Sequence, residues 1–151
     1  FAMLPFTGYN MADYFQHWLE VGQQVGEKAE AAGNKLPKIF NVNWFRRDAE
    51  GNFVWPGFGQ NMRVLEWMID RVEGRANAVE TPIGYVPTYD DLNWAGTDFS
   101  KEEFDLITAQ DKDQWITEIE SHTELFTKLG DRLPQALKER QEALLNAVKN
   151  H

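Results

Sequence analysis

The chain has 151 residues, 42% of them hydrophobic and 26% charged, which fits one globular domain of ordinary size. Its 15 basic and 24 acidic residues give a net charge of −9, which disfavours binding to nucleic acid and to anionic membranes. It contains no cysteine, which excludes disulfides, thiolate metal ligands and a cysteine nucleophile within it. We expect a cytoplasmic protein, because no run of eighteen apolar residues and no signal-peptide pattern occurs.

The first predicted element is a helix from Asn10 to about Ala32. Asn10 is a good N-cap, and Gly33 is a good stop signal. Apolar residues recur at helical spacing and predict one buried face: Met11, Tyr14, Phe15, Trp18, Val21 and Val25. The apolar FAMLPF that precedes it would be an unusual free terminus, so we expect the chain to be a piece of a longer protein.

A hairpin is predicted next. KIFNVNWF, residues 38–45, alternates like a half-buried strand and places Phe45 on its polar face. Turn-forming residues 48–52 separate it from a second short strand, FVW, at 53–55. Pro56 then ends the pairing, and Gly57 and Gly59 permit a sharp turn.

Helices dominate the rest of the chain. The pattern predicts a helix over 61–74 that buries Leu65, Met68, Ile69 and Val72, then a polar linker and a short strand over 83–87. Capping signals at Ser100 and Asp111 predict two helices, the second with a face formed by Trp115, Ile116, Ile119, His122, Leu125 and Phe126. A last helix is predicted over 134–148. The fold class is therefore α+β, a small antiparallel sheet or hairpin flanked by several helices, with residues 1–151 as one portion and 96–151 as a mainly helical tail.

Residues able to do chemistry are few. The histidines His17, His122 and His151 lack metal-ligand spacing. The acidic pairs at 90–91 and 102–103 are typical of caps or solvated faces, and neither a dinucleotide fingerprint nor a P-loop pattern is present. We therefore predict no catalytic residue and no metal ligand in this chain.

The aromatic rings around the hairpin are unusual for a surface loop. Phe45, Phe53 and Phe58 stand at three backbone positions around one turn, an arrangement suited to a flat slot for a nucleobase. The following turn adds the backbone of Gly59 and the carboxamides of Gln60 and Asn61, which can pair with a purine edge. Guanine suits this geometry, although other bases remain possible.

Two other interpretations stand beside a base site. The rings could form a small satellite core, and the residues alone favour neither reading. Alternatively, the chain could be a stand-alone interaction domain whose aromatic hairpin grips a peptide or a protein. Trp44 and Trp55 are assigned to packing. Near the rings, only Arg46, Arg47 and Arg63 could meet a triphosphate.

Long stretches of the sequence nevertheless resemble one protein family. FAMLPFTGYNMADYFQHWLE, LPKIFNVNWFRRDAEGNFVWPGFGQNMRVLEWMIDRVEG and TPIGYVPTYDDL are similar to the C-terminal part of bacterial-type GTP-dependent phosphoenolpyruvate carboxykinase, and the resemblance runs from Phe1 to about Leu133. It implies an enzyme of gluconeogenesis that converts oxaloacetate and GTP to phosphoenolpyruvate, GDP and carbon dioxide with manganese. It also implies that this chain is a C-terminal subdomain of a larger mixed α/β enzyme.

The resemblance assigns the site residue by residue. It places guanine between rings that match Phe45 and Phe58, with a further ring at Phe53 and an edge contact at Asn61. The family usually reads FGEN where this chain has Gln60, and serine where it has Met62. The phosphate-binding loop, the manganese ligands and the oxaloacetate-binding arginines match no residue here. The implied partners are a guanine nucleotide and the missing N-terminal part of the same protein, and we expect the chain alone to be catalytically inert and prone to self-association.

Overall fold

The structure is a computed structural model that describes residues 3–151, so the first two residues of FAMLPF lie outside it. The described part contains five α-helices, four short 3-10 turns and one two-stranded antiparallel sheet. The helices are α1 (Met11–Ala31), α2 (Asn61–Glu73), α3 (Lys101–Thr108), α4 (Lys112–Leu129) and α5 (Gln135–Asn150), and the strands are β1 (Val79–Thr81) and β2 (Gly84–Val86). The predicted α+β class is confirmed. No helix within residues 3–151 combines the length and the apolar character needed to cross a membrane.

Backbone contacts divide the chain into two compact units, one made of the residues up to Pro37 and from Asp111 to His151, the other of Lys38–Gln110. The first unit contains α1, α4 and α5. Its largest buried cluster consists of Met11, Ala12, Leu125, Leu129 and Leu133. The predicted start of α1 is confirmed, since the Asn10 side chain accepts a hydrogen bond from the Ala12 N–H at 2.8 Å.

The apolar face predicted for α1 is buried only at its beginning. Met11 is 5% exposed, whereas Trp18 is 55% and Val25 is 45% exposed. Apolar side chains on helices normally pack against a neighbour, so the second half of this face is a surface in need of a partner.

The face predicted for α4 is confirmed. Ile119 is fully buried, and Leu125 and Leu129 are buried further along the same helix. The Asp111 side chain caps α4 by accepting a hydrogen bond from the Gln114 N–H at 2.8 Å. From α5, the Gln141 side chain donates to the Ile119 carbonyl at 2.8 Å.

The second unit has an aromatic core. Trp67, Leu92, Phe99 and Phe104 are buried together, and Tyr89 stacks on Trp94 with ring centroids 5.3 Å apart. The polar atoms of these rings are paired: Tyr89 Oη donates to the Phe99 carbonyl and Trp94 Nε1 to the Tyr89 carbonyl. Rings with satisfied polar ends combine a large buried area with a defined orientation.

The strands predicted over 38–45 and 53–55 are wrong. Within the described residues, this region pairs only around the isolated bridge between Arg47 and Phe53, through hydrogen bonds from the Val54 N–H to the Arg46 carbonyl and from the Asp48 N–H to the Asn52 carbonyl. Before the bridge, the Asn43 side chain accepts a hydrogen bond from the Phe45 N–H at 3.0 Å, and this local turn replaces an extended strand. Pro56 then removes the next donor on the other side, so the pairing cannot extend.

The sheet forms instead between β1 and β2. The strand predicted over 83–87 is confirmed by β2, which pairs with β1 in the register Val79 to Val86. β1 was missed because its sequence VET sits in a polar stretch without an alternating pattern. Gly84, at φ 130°, makes the tight connection possible.

Helix α2 is confirmed, but its predicted buried face is confirmed only at Met68, which packs against the aromatic core, and is wrong at the other three positions. Trp67 is 4% exposed, whereas Leu65, Ile69 and Val72 are 40%, 54% and 51% exposed. The aromatic core accepts the large Trp67 ring, which meets Phe40 edge-on at 6.0 Å. Burying the indole rotates the aliphatic residues outward. Gly74, in the left-handed region at φ 78°, ends the helix as predicted.

Candidate functional site

Of the predicted hairpin, the structure forms the tight turn around Asp48 but not the two strands. Its N–H donates to the Asn52 carbonyl at 3.0 Å, and its carboxylate accepts from the Asn52 N–H at 2.8 Å. The hydrogen bond from the Asn52 backbone is the main reason that the pKa of Asp48 lies below its ordinary value, because it stabilises the ionised form. The turn therefore depends on a charged Asp48.

Arg46 fixes the base of this turn to the end of α3. Its Nη1 donates to the Ala109 carbonyl at 2.8 Å and to the Ile107 carbonyl at 3.3 Å. These carbonyls belong to the last turn and the end of the helix, where backbone acceptors lack partners within the helix. The segment that carries Phe45 is thereby attached to the body of the second unit.

The three predicted rings are all exposed. Phe45 is 69%, Phe53 is 53% and Phe58 is 91% exposed, so a satellite core of these rings is not formed. Phe45 and Phe53 meet edge-to-face with centroids 5.8 Å apart. Among residues 3–151, Phe58 has no close ring neighbour, so no other ring covers either of its faces.

Phe53 differs from the other two rings because one of its faces is covered. The guanidinium carbon of Arg47 lies 4.0 Å from its centroid, a cation–π contact. Arg47 also donates to the Gly51 carbonyl. Phe53 is consequently suited to an edge contact rather than to a full stack.

Trp44 and Trp55 pack, as predicted. Trp55 is 7% exposed and lies 5.3 Å from Trp44, 6.3 Å from Trp94 and 5.9 Å from Phe99. The hairpin is thus anchored through its tryptophans, and the phenylalanines are left outward.

The turn after the hairpin needs one glycine for its backbone. Gly57 has φ 107°, a region that favours glycine, whereas Gly59 is not among the glycines with positive φ. A Cβ added at Gly59 would meet no protein atom within 4 Å. Neither strain nor packing inside the chain explains Gly59.

Two backbone N–H groups of this turn have partners within the chain. The Gln60 N–H donates to the Gly57 carbonyl at 3.0 Å, and the Asn61 N–H to the Phe58 carbonyl. These two groups are therefore not free to bind a ligand. The side chains of Gln60 and Asn61 are left as the polar groups of the turn.

Both carboxamides have internal partners that the sequence analysis missed. Arg63 Nε donates to Gln60 Oε1 at 2.6 Å, and Trp55 Nε1 donates to Asn61 Oδ1 at 2.8 Å. The spacing of Gln60 and Arg63, three residues apart at a helix start, is a recognisable signal. No comparable signal pairs Trp55 with Asn61.

The arginines near the rings are occupied by the chain itself. Arg63 also donates to the carbonyls of Asn93 and Ala95, so each of Arg46, Arg47 and Arg63 has internal acceptors. A groove of about 570 Å³ adjoins the turn, lined by Gly59, Gln60, by residues of α2 from Met62 to Asp70, and by Arg75 just beyond the helix. Its two acidic residues, Glu66 and Asp70, balance its two arginines, and Arg75 is paired with Asp70, so the groove offers no excess positive charge to a phosphate.

Metal ligands were not expected here. In the part of the chain that the structure describes, no group of three or more histidine, aspartate or glutamate side chains is placed to hold a metal ion. The residues present therefore do not fit the manganese site that the resemblance implies for the whole enzyme.

Comparison with known proteins defines the class first: residues 1–147 match the family described as phosphoenolpyruvate carboxykinase C-terminal P-loop domain. The chain belongs to this family. It is 48% identical over 143 residues to phosphoenolpyruvate carboxykinase (GTP) of Paenarthrobacter aurescens, covering 95% of the chain and 22% of that protein. For the Treponema pallidum enzyme of the same name the identity is 50% over 145 residues, with 95% and 22% coverage, and for that of an Arthrobacter species 45% over 150 residues, with 99% and 24%. The chain spans less than a quarter of the length of these relatives.

The turn around Asp48 should weaken in acid. Because the pKa of Asp48 is lowered in the folded chain, its stabilising effect is complete above the ordinary value of 3.8 and is lost as the pH falls through the lower folded value. The backbone amide signal of Asn52, followed by NMR against pH, should shift with a midpoint below 3.8. The variant Asp48→Asn is the control and should lack this step. A midpoint at or above 3.8 in the unaltered chain would contradict the prediction.

Proposed function

We propose that this chain supplies the guanine-binding part of a GTP-dependent phosphoenolpyruvate carboxykinase. The whole enzyme would convert oxaloacetate and GTP to phosphoenolpyruvate, GDP and carbon dioxide in the cytoplasm. The observation that carries the proposal is the exposure of Phe45, Phe53 and Phe58 around one turn, in a chain whose relatives bear the name of a GTP-using enzyme.

The rings would have different tasks. Phe58 and Phe45 each offer an exposed ring to a base and would enclose it from two sides. Phe53, whose face is covered by Arg47, would contact the base at its edge. Exposed apolar rings cost free energy in water, and a stacked base recovers it.

The turn would select the base. Gly59 would allow the base to approach the backbone closely. No protein atom lies in the space that a side chain there would fill, so the base would occupy that space. The carboxamides of Gln60 and Asn61 would bond to the base edge. The acidic residue that the family usually has at position 60 would form an ion pair with Arg63, where Gln60 forms a neutral-acceptor hydrogen bond.

The phosphates would be held elsewhere. Arg46, Arg47 and Arg63 already donate to internal acceptors, and the net charge of −9 disfavours a triphosphate. The phosphate-binding loop and the manganese ligands would come from the remainder of the enzyme. This chain would supply recognition of the base and no catalytic residue.

The first prediction concerns base binding. We expect GDP to change the tryptophan fluorescence of the chain at millimolar concentration, and ADP to do so less. The variant Phe58→Ala should weaken GDP binding by roughly 5- to 150-fold, since one base stack contributes about 1–3 kcal/mol. Folding should be unaffected, because Phe58 is 91% exposed and packs against little.

Two further variants sharpen this test. Phe6→Ala removes another phenylalanine, 83% exposed and in the other unit, and should leave GDP binding unchanged. Gly59→Ala should weaken GDP binding without loss of stability, because the added methyl group meets ligand rather than protein. Equal responses to GDP and ADP, or equal effects of Phe58→Ala and Phe6→Ala, would argue against a guanine site.

A second prediction concerns catalysis. We expect the purified 151-residue chain to be inert with oxaloacetate, GTP and manganese, because the family's phosphate-binding loop and manganese ligands match no residue of this chain. Carbon dioxide release and GDP formation should equal the protein-free rate. Turnover that requires both GTP and manganese would disprove this assignment of roles.

A third prediction concerns the remaining partner, the rest of the enzyme. The exposed apolar residues of α1, Trp18, Leu19, Val21 and Val25, would be covered by it, and without it we expect concentration-dependent self-association. In sedimentation experiments Trp18→Glu should shift the chain towards monomer. Gln24→Glu adds the same charge to an exposed polar position of α1 and should not. A chain that stays monomeric at high concentration, or equal effects of the two variants, would exclude this role for the face.

A further inference from the structure

The hydrogen bond from Trp55 determines which way the Asn61 carboxamide points. A carboxamide can turn over and exchange its oxygen and nitrogen, so its hydrogen-bond partners decide which atom lies on which side. The atom that faces Trp55 Nε1 at 2.8 Å must be the oxygen, because an indole N–H can only donate. The NH₂ group of Asn61 therefore points to the other side.

Trp55 is well placed to enforce this direction. It is 7% exposed, and its ring is confined by Trp44, Trp94 and Phe99, so the N–H cannot turn towards water. Turning the amide over would set two donors against each other and leave a buried N–H without a partner. A lost hydrogen bond of this kind disfavours the reversed amide by about tenfold or more.

The outward NH₂ group has a consequence for ligand choice. Purines with oxygen at C6, guanine and hypoxanthine, present an acceptor at that position and another at N7. Adenine shares the N7 acceptor but presents a donor at C6, and this donor would face the Asn61 NH₂ group when that group is directed at position 6. A fixed donor discriminates between these bases, whereas a carboxamide free to turn over would accept both.

We propose that Trp55 is a positioning residue that makes the site selective for 6-oxopurine nucleotides, by holding the Asn61 carboxamide with its NH₂ group towards the base. This rests on the proposed guanine site. Trp55 itself would not touch the base, and its effect would pass through one hydrogen bond.

The test compares three ligands, GDP, inosine diphosphate and ADP, by ligand-observed NMR titration of the full chain. Trp55→Phe keeps an aromatic ring and removes the N–H. It should weaken GDP and inosine diphosphate binding alike, by about five- to tenfold, and should leave ADP binding unchanged or strengthen it, because the freed amide can turn its oxygen towards adenine. Trp44→Phe, the same change 5.3 Å away, should leave all three affinities within about twofold. Equal weakening of all three ligands by Trp55→Phe would mean a merely structural role and would overturn the proposal.

A second variant guards against a misfolded Trp55→Phe. Asn61→Asp still accepts the indole hydrogen bond but offers the ligand only an acceptor, so the preference for GDP over ADP should be lost. A preserved preference would overturn the proposal.

Failure of the guanine site itself is distinguished separately. If the unaltered chain binds none of the three nucleotides, the proposed function fails, and exchange of the Trp55 indole proton with solvent still tests the positioning bond. That exchange should be slower in the unaltered chain than in Asn61→Leu. Equal exchange in the two proteins would overturn the positioning role.

Discussion

The second unit depends on the burial of tryptophan rings. The segment from Lys38 to Gly57 has almost no backbone ladder, so its position is set by Trp55 and Trp44 packing towards Trp94 and Phe99. Large rings stabilise such a segment because each removes much apolar area from water and has few rotamers to lose. Indole N–H groups within this core also have acceptors, which fixes their orientation.

The buried core orients polar groups of the neighbouring turn. A hydrogen bond from a buried ring orients an exposed polar group more firmly than a solvated partner could, because the alternative leaves an unpaired donor without water. At the turn, Trp55 orients Asn61 in this way. Arg63, on α2, donates to the Gln60 side chain and also to the loop at 93–95, so that Gln60 is held as well. The polar side chains of the turn are thus held in place within the chain itself, and for the proposed base site this would lower the entropic cost of binding.

The features predicted correctly from sequence are those that depend on interactions between residues close together in the chain. The caps at Asn10, Ser100 and Asp111 form as expected, because each involves residues within a few positions. Strand formation over 38–45 failed because an alternating pattern does not supply a partner strand, and Asn43 satisfies the backbone from within. The inward position of Trp67 and the pairing of Trp55 with Asn61 depend on how rings from distant segments fill one core, which periodicity does not encode. The outward position of Phe45, Phe53 and Phe58 could be predicted from sequence, because glycine, proline and turn-forming residues surround them.

The hydrogen bond between Trp55 and Asn61 joins residues six positions apart. The three exposed phenylalanines of the proposed site, the buried indole and the turn fall within residues 45–61. A segment this short is inherited as one piece, so recombination rarely separates an indole from the amide it orients. Under the proposed function, evolution could change the base preference within this one continuous stretch, while groups that would handle phosphate and metal elsewhere in such an enzyme stay untouched.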